Sequence, residues 1–235
     1  MKAALYYGPH DFRVEEADKP QAGDYGIVVR VRVCGICGSD LHYYVRGGPL
    51  VKPGGIMGHE FSGDVVEVGK LVKDIKVGDR VAAASIIVCQ ECYWCKSGQH
   101  SRCQNLKMGG FDFHGAYAEY AAVPLAILDQ TVFKLPDNLS YEAGAIMEPL
   151  SVGAYSVGRA EPGAEDMVLI LGAGMIGLAS LAAMRARGVS SIIISDLSNK
   201  RLEAAKSLGA DIVIDAGSEN VPQRLAQITG GRGVD

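Results

Sequence analysis

Gly58-His59-Glu60 sets an imidazole beside a carboxylate, with candidate partners on either side: Cys37 upstream and Glu148 downstream. A histidine next to a glutamate is commonplace as a packed or surface pair, so the tripeptide alone carries little. Its company changes the reading. One thiolate, one imidazole and one or two carboxylates can hold Zn²⁺ and leave a coordination position for water or a substrate oxygen. Further on, Gly172-Ala173-Gly174-Met175-Ile176-Gly177 has the spacing of a dinucleotide-binding turn. Metal donors and such a turn in one chain point to metal-assisted hydride transfer.

The sharpest metal signal lies between them, at Cys89-x2-Cys92-x2-Cys95-x7-Cys103. Four thiolates so spaced close tetrahedrally around one Zn²⁺ and leave no position for substrate, so this site is expected to be structural. Scattered cytosolic thiols rarely fall into this pattern. His100 sits in turn-like sequence and is expected to be solvated rather than a ligand. Cys34-x-x-Cys37 could be a redox pair, but it lacks the βαβ surroundings that reading requires. With a cytoplasmic, reducing location expected, all six cysteines are read as ligands or buried thiols, not disulfides.

The glycine turn gains weight from its neighbours. Val168-Leu169-Ile170-Leu171 before it reads as a buried strand, Leu178 to Arg187 after it as a helix, and Asp196 ends the next strand nineteen residues past Gly177. Gly172 permits the turn, Gly174 lets backbone amides approach a pyrophosphate at the helix N-terminus, and Gly177 allows close packing on the strand. Met175, Ile176 and Arg201 are grouped with this site. The Asp196 carboxylate would accept the adenosine ribose hydroxyls and repel a 2′-phosphate, which favours NAD over NADP.

The elements that must position these groups divide into two kinds. Up to Val81 the chain reads as short β runs broken by Gly8-Pro9, Lys19-Pro20 and Gly23-Asp24, with Ile27 to Val33 the strongest, and no helix is expected before Ser140. Ser140 is the expected N-cap of a helix with Glu142 in its first turn, and Glu148-Pro149 follows a short apolar segment. Strand, helix and strand then alternate through Asp215, which implies a parallel, doubly wound sheet. The boundary is expected near Ala154. Met167 to Met184 is an uncharged run of near-spanning length, but its three glycines make it a buried strand and helix instead. A net charge of −4 without any Lys/Arg run argues against nucleic acid or an anionic membrane as partner. The start of the chain has one basic residue and an apolar run too short for a signal peptide, so none is expected.

Taken together, these residues resemble the zinc-dependent medium-chain dehydrogenases over the whole chain. Gly58-His59-Glu60-x2-Gly63-x5-Gly69-x2-Val72 looks like that family's zinc signature, and the four-cysteine lobe and the glycine turn follow in the family's order. The resemblance implies an α/β chain: residues 1–154 a GroES-like, β-rich, zinc-binding catalytic domain, and residues 155–235 the N-terminal half of a doubly wound Rossmann domain expected to be truncated. It implies Cys37, His59 and Glu148 as catalytic zinc ligands, with Glu60 either a direct or exchangeable ligand or a group supporting the ligands from behind. Ser39 and His42 match the family's proton relay, and Asp40 would orient His59. The implied cofactors are one catalytic Zn²⁺, one structural Zn²⁺ and NAD, and the implied assembly is a homo-dimer or tetramer. Glutamate at position 148 is more like the polyol (sorbitol) and 2,3-butanediol dehydrogenase branch than the ethanol branch, with L-threonine 3-dehydrogenase the alternative. The substrate is then a small secondary alcohol, with Tyr44 and Phe111 as pocket candidates. His10 and His114 are left structural.

A non-catalytic, zinc-stabilised nucleotide-binding protein would keep the four-cysteine site and the glycine turn, yet could dispense with Cys37, His59 and Ser39. All three are present. A doubly wound domain has six strands, and three lie before Gly230-Gly231-Arg232-Gly233-Val234-Asp235, which reads as the turn into a fourth. These residues are therefore expected to be a portion of a longer enzyme, poorly active alone.

Overall fold

Short β-branched runs punctuated by glycine and proline build the first of two units. In the computed structural model, which describes residues 1–235, that unit is Met1–Glu148. It opens with β1 (Lys2–Gly8), β2 (Asp11–Glu16) and β3 (Ile27–Cys34), then helix α1 (Gly38–Arg46). β4 (Gly55–Ile56), β5 (Phe61–Val68), β6 (Arg80–Ala83) and β7 (Ile86–Ile87) follow. After the single-turn α2 (Tyr93–Lys96) come β8 (Lys107–Met108), β9 (Tyr120–Val123) and β10 (Val132–Lys134).

The main sheet is antiparallel in the order β10-β6-β5-β3-β9, a second sheet runs β2-β1-β4, and β7 pairs with β8 to frame the cysteine lobe. Ile27, Val29, Val65, Val81 and Val132 fill the core of the main sheet and are almost wholly buried. Each such side chain contributes about 1.5–3 kcal/mol of transfer free energy. This core fixes β3 and β5, whose ends carry Cys34 and Phe61 and so deliver the Cys37 and Glu60 segments side by side.

α1 and α2 correct the expectation that no helix precedes Ser140. The inward residues of α1 are Asp40 and Tyr43, while Leu41, Tyr44 and Val45 are exposed, so it has no inward apolar stripe for a periodicity argument to detect. Its first turn is held by Asp40, whose Oδ2 accepts the Cys37 amide at 2.9 Å, the reach-back contact of a capping box.

α3 (Tyr141–Ala160) is capped as expected: the Ala143 amide donates to Ser140 Oγ at 3.2 Å. It continues through Pro149, where the sequence reads only a short apolar segment. A proline there removes one amide donor from the helix. The second unit begins at this residue and spans Pro149–Asp235, so the division falls in the same helix as Ala154.

The second unit alternates β11 (Met167–Leu171), α4 (Met175–Arg187), β12 (Ser191–Asp196), α5 (Asn199–Ser207), β13 (Ile212–Asp215) and α6 (Val221–Thr229). Its sheet is parallel in the order β11-β12-β13, with Leu169 beside Ile193 and Ile193 beside Ile212. Parallel neighbours need crossovers, which α4 and α5 supply. Ile192, Ile193, Ile194 and Ile214 are fully buried, as is Leu181 of α4, which is why these strands read as continuous apolar runs. The Met167–Met184 run is thus β11, a turn and most of α4, and no helix is long and apolar enough to cross a membrane. After α6 the Asp235 amide donates to the Met167 carbonyl at 3.0 Å, beside β11.

Candidate functional site

The first site gathers three residues from two neighbouring segments. Cys37 precedes α1, His59 and Glu60 precede β5, and one ligand atom from each lies within 4.8 Å of the other two. His59 and Glu60 are buried, at 2% and 6% exposure. Gly58 before them has φ +89°, and a β-carbon built there would lie 2.6 Å from the Tyr117 ring, so glycine is required on both counts. Glu148 stands outside that set of three, and Ser85 Oγ donates to its Oε1 at 2.7 Å.

The groups of the cluster shift one another. The His59 imidazole holds the Cys37 thiol below its ordinary value, against burial. Burial alone would lower His59, but Cys37, Asp40 and Glu148 more than reverse it and raise its value. Burial, reinforced by the charges of Glu148 and Asp40, raises Glu60. A divalent ion among these groups would favour the ionised carboxylate and thiolate, and the mixed donor set suits zinc.

Behind the cluster, Asp40 Oδ2 accepts both the Cys37 amide at 2.9 Å and the Tyr117 hydroxyl at 2.8 Å. Its Oδ1 has no hydrogen-bond partner and lies 3.9 Å from His59 Nδ1, which also has none. Burial first, then the Asp40 charge, pushes the Tyr117 phenol well above its ordinary range, so it remains a donor. Ser39 Oγ is likewise buried without a partner, and His42 on the same helix is exposed. Phe111 packs on His59 with ring centroids 5.8 Å apart. Tyr44, the other pocket candidate, instead packs on His10 at 4.9 Å and lines an apolar recess with Phe12, Ile36, Leu41 and Tyr117. His114 Nδ1 accepts the Ile56 amide. Tyr117, Ser85 and Gly35 were not singled out by spacing, because each meets its partner far along the chain.

Cys89, Cys92, Cys95 and Cys103 form the second cluster, again within 4.8 Å of one another, and all six cysteines are free thiols. Sulfur separations are 3.9 Å for Cys89–Cys95, 3.6 Å for Cys92–Cys95 and 3.5 Å for Cys103–Cys89. Zn–S bonds of about 2.3 Å in a tetrahedron put sulfurs about 3.8 Å apart, so the lobe has the dimensions of a four-thiolate zinc site. Backbone amides point at two of the sulfurs: Cys92 donates to Cys89 Sγ, while Cys89 and Asn105 donate to Cys103 Sγ, each at 3.4 Å. His100 is exposed and outside the cluster. Burial pushes the Cys34 thiol up to about 12, and it belongs to neither cluster.

In the second unit the glycine turn joins β11 to α4. Gly172 has φ +95° and its amide donates to the Ser195 carbonyl at 2.7 Å, while a β-carbon at Gly177 would lie 1.9 Å from the Gly172 carbonyl oxygen. Gly174 is the N-cap, which leaves Met175 and Ile176 in the first turn with amides free of helix partners. Asp196 at the end of β12 accepts the Ala173 amide on Oδ2 and the Ser198 amide on Oδ1, both at 2.8 Å, and Arg201 Nη1 lies 3.7 Å from Oδ2. Gly172, Asp196, Ser198 and Arg201 share a cleft of about 430 Å³.

Known families match this arrangement. The alcohol dehydrogenase GroES-like domain matches residues 23–137, and the zinc-binding dehydrogenase family matches residues 176–235. The chain belongs to the zinc-dependent medium-chain dehydrogenases. L-threonine 3-dehydrogenase of Pyrococcus furiosus is 41% identical over 100% of this chain and 66% of that protein. Sorbitol dehydrogenase of Bacillus subtilis is 36% identical over 100% of this chain and 67% of its own. The crystal structure of 2R,3R-butanediol dehydrogenase from Bacillus subtilis superposes with a TM-score of 0.87 at 36% identity, covering 100% of this chain and 68% of that one. The present chain therefore spans about two thirds of the length of the relatives it matches. This medium-chain dehydrogenase thus has a GroES-like unit and a Rossmann-type unit, as its sequence implies.

Proposed function

We propose that this protein oxidises the secondary alcohol of a polyol or vicinal diol, passing hydride to NAD, with one catalytic and one structural zinc. The observation that carries it is the mixed cluster of Cys37, His59 and Glu60, whose three donors leave room for a substrate oxygen. Cys37 and His59 would hold the catalytic ion with Glu60 or Glu148, and the four cysteines the structural one. When bound, zinc acidifies a substrate hydroxyl and the nicotinamide accepts hydride.

The chain's own residues have defined tasks around that chemistry. Ser39 Oγ, buried and unpartnered, would take the hydroxyl proton, and the exposed His42 imidazole would pass it to water. Asp40 orients His59 through Nδ1, leaving Nε2 for the metal. The α4 N-terminal amides at Met175 and Ile176 receive the pyrophosphate, and Asp196 receives the ribose hydroxyls beside Arg201. Glu148, tied by Ser85, supports the polyol and diol branch. Because threonine dehydrogenases also stand among the relatives, L-threonine is the second reading. Self-association into a dimer or tetramer belongs to the proposal.

An NADH-formation assay with sorbitol, 2,3-butanediol and L-threonine, before and after chelation, tests this. Zinc-dependent turnover is expected with the polyol or diol. Preference for L-threonine would support the second reading, and turnover that is unchanged after the mixed-site zinc is removed would overturn the zinc-dependent one.

A further inference from the structure

Tyr117 is tied to the donor cluster on two sides. Its amide donates to the Met57 carbonyl at 2.9 Å and its carbonyl accepts the Ala4 amide at 2.7 Å, so its backbone is fixed against the segment that leads into His59. Its ring fills the space over Gly58, where a β-carbon would lie 2.6 Å away. Its hydroxyl reaches across to α1 and donates to Asp40 Oδ2 at 2.8 Å, with the Gly35 carbonyl at 3.2 Å. One phenolic proton serves one strong bond, and the shorter contact to a carboxylate takes it.

Asp40 is 3% exposed, so its carboxylate has no water to turn toward. With Oδ2 bonded by the Tyr117 hydroxyl and the Cys37 amide, Oδ1 is left facing His59 Nδ1 at 3.9 Å, and each of those two atoms lacks any other partner. The pair can close only on each other. Closure puts the imidazole proton on Nδ1 and the lone pair on Nε2. Without the phenol, Asp40 keeps the single amide bond on Oδ2 and its carboxylate gains freedom to rotate away from His59.

We propose that Tyr117 is a positioning residue for the metal ligand His59, acting through Asp40 by holding the carboxylate rotamer that selects the Nδ1–H tautomer. The inference rests on the reading of Cys37 and His59 as zinc ligands. Tyr117→Phe removes the hydroxyl and keeps the ring over Gly58, so it isolates the hydrogen bond from the packing.

The test is a double-variant cycle of Tyr117→Phe and Asp40→Asn, read as zinc affinity by chelator competition and as the visible spectrum of the cobalt-substituted protein. The four-cysteine zinc is the internal control. Tyr117→Phe should weaken the mixed site about tenfold, within the ~10–100-fold usual for groups behind a metal ligand, and should leave the four-cysteine zinc in place. The double variant should bind no more weakly than Asp40→Asn alone, because both changes remove the same orientation. Unchanged affinity and cobalt spectrum in Tyr117→Phe, or losses that add in full, would overturn the proposal. A wild-type protein that takes up only one zinc, in the cysteine lobe, would overturn the metal-site reading as well, so the two failures are distinct.

Discussion

Gly35→Ala should damage the mixed metal site while leaving the fold in place. Gly35 is not among the residues with positive φ, so alanine suits its backbone. The obstacle is Glu60: a β-carbon at position 35 would lie 2.4 Å from Glu60 Oε2 and 3.2 Å from its Cβ. An ordinary carbon–oxygen contact is about 3.3–3.6 Å, so the carboxylate must move by about 1 Å. The backbones cannot part to absorb this, because the Gly35 amide donates to the Glu60 carbonyl at 2.7 Å. The side chain is 6% exposed and has little free space.

A functional site tolerates displacements of about 0.5 Å, so a shift of this size is expected to weaken zinc by about 10–100-fold. The effect on stability is smaller. Overpacking costs about 1–3 kcal/mol, and the reduced freedom of the unfolded chain returns about 0.4–1 kcal/mol. Chelator competition measures the affinity, with the four-cysteine zinc as reference, and a thermal melt of the metal-free protein checks the fold. Wild-type zinc affinity in a folded Gly35→Ala protein would refute the placement of Glu60 among the donors.

Four further outcomes are expected. Cys95→Ser should lose one zinc per chain by metal analysis and lower the melting temperature, while the mixed site still takes up zinc; full retention of both ions would exclude the four-thiolate assignment. Ser39→Ala should keep its zinc and lose about 10²–10⁴-fold in alcohol oxidation, and an unchanged rate would remove Ser39 from the proton path. Asp196→Ser should weaken NAD and narrow its advantage over NADP in fluorescence titrations. Burial alone would raise the Asp196 carboxyl, but the Ala173 and Ser198 amides and Arg201 bring it below its ordinary 3.8. A depressed folded value stabilises above that point and is lost as pH falls through it. Asp196→Asn should therefore cost stability at pH 6, with the difference from wild type shrinking as pH falls below the ordinary 3.8 and through the depressed folded value; a deficit that persists in acid would show that the carboxylate charge is not its source.

The parts of this protein that spacing revealed are those whose chemistry is local. Four thiolates around one ion need short, regular intervals, and Cys89 to Cys103 supply them within a single lobe. The turn from β11 into α4 needs one glycine with positive φ and one that admits a close backbone approach, and Gly172 and Gly177 meet these demands within six residues. β12 was visible as an apolar run for the same reason, since a parallel strand covered on both faces shows its burial at nearly every residue, whereas in β11 only Ile170 is buried and Leu171 is exposed.

What spacing did not reveal depends on partners distant in sequence. Tyr117 meets Asp40 across 77 residues, and Ser85 meets Glu148 across 63. Neither tyrosine nor serine carries a signal of its own, because any exposed or packed copy has the same local sequence. α1 was hidden for a related reason: it turns Asp40 inward, and the Cys37 amide and the Tyr117 hydroxyl satisfy that carboxylate's Oδ2. The helix is therefore specified by the site as much as it supports the site. Removing the Tyr117 hydroxyl or the Asp40 carboxylate should loosen α1 and the donor cluster together, whereas a substitution on the exposed Leu41 or Val45 should disturb neither.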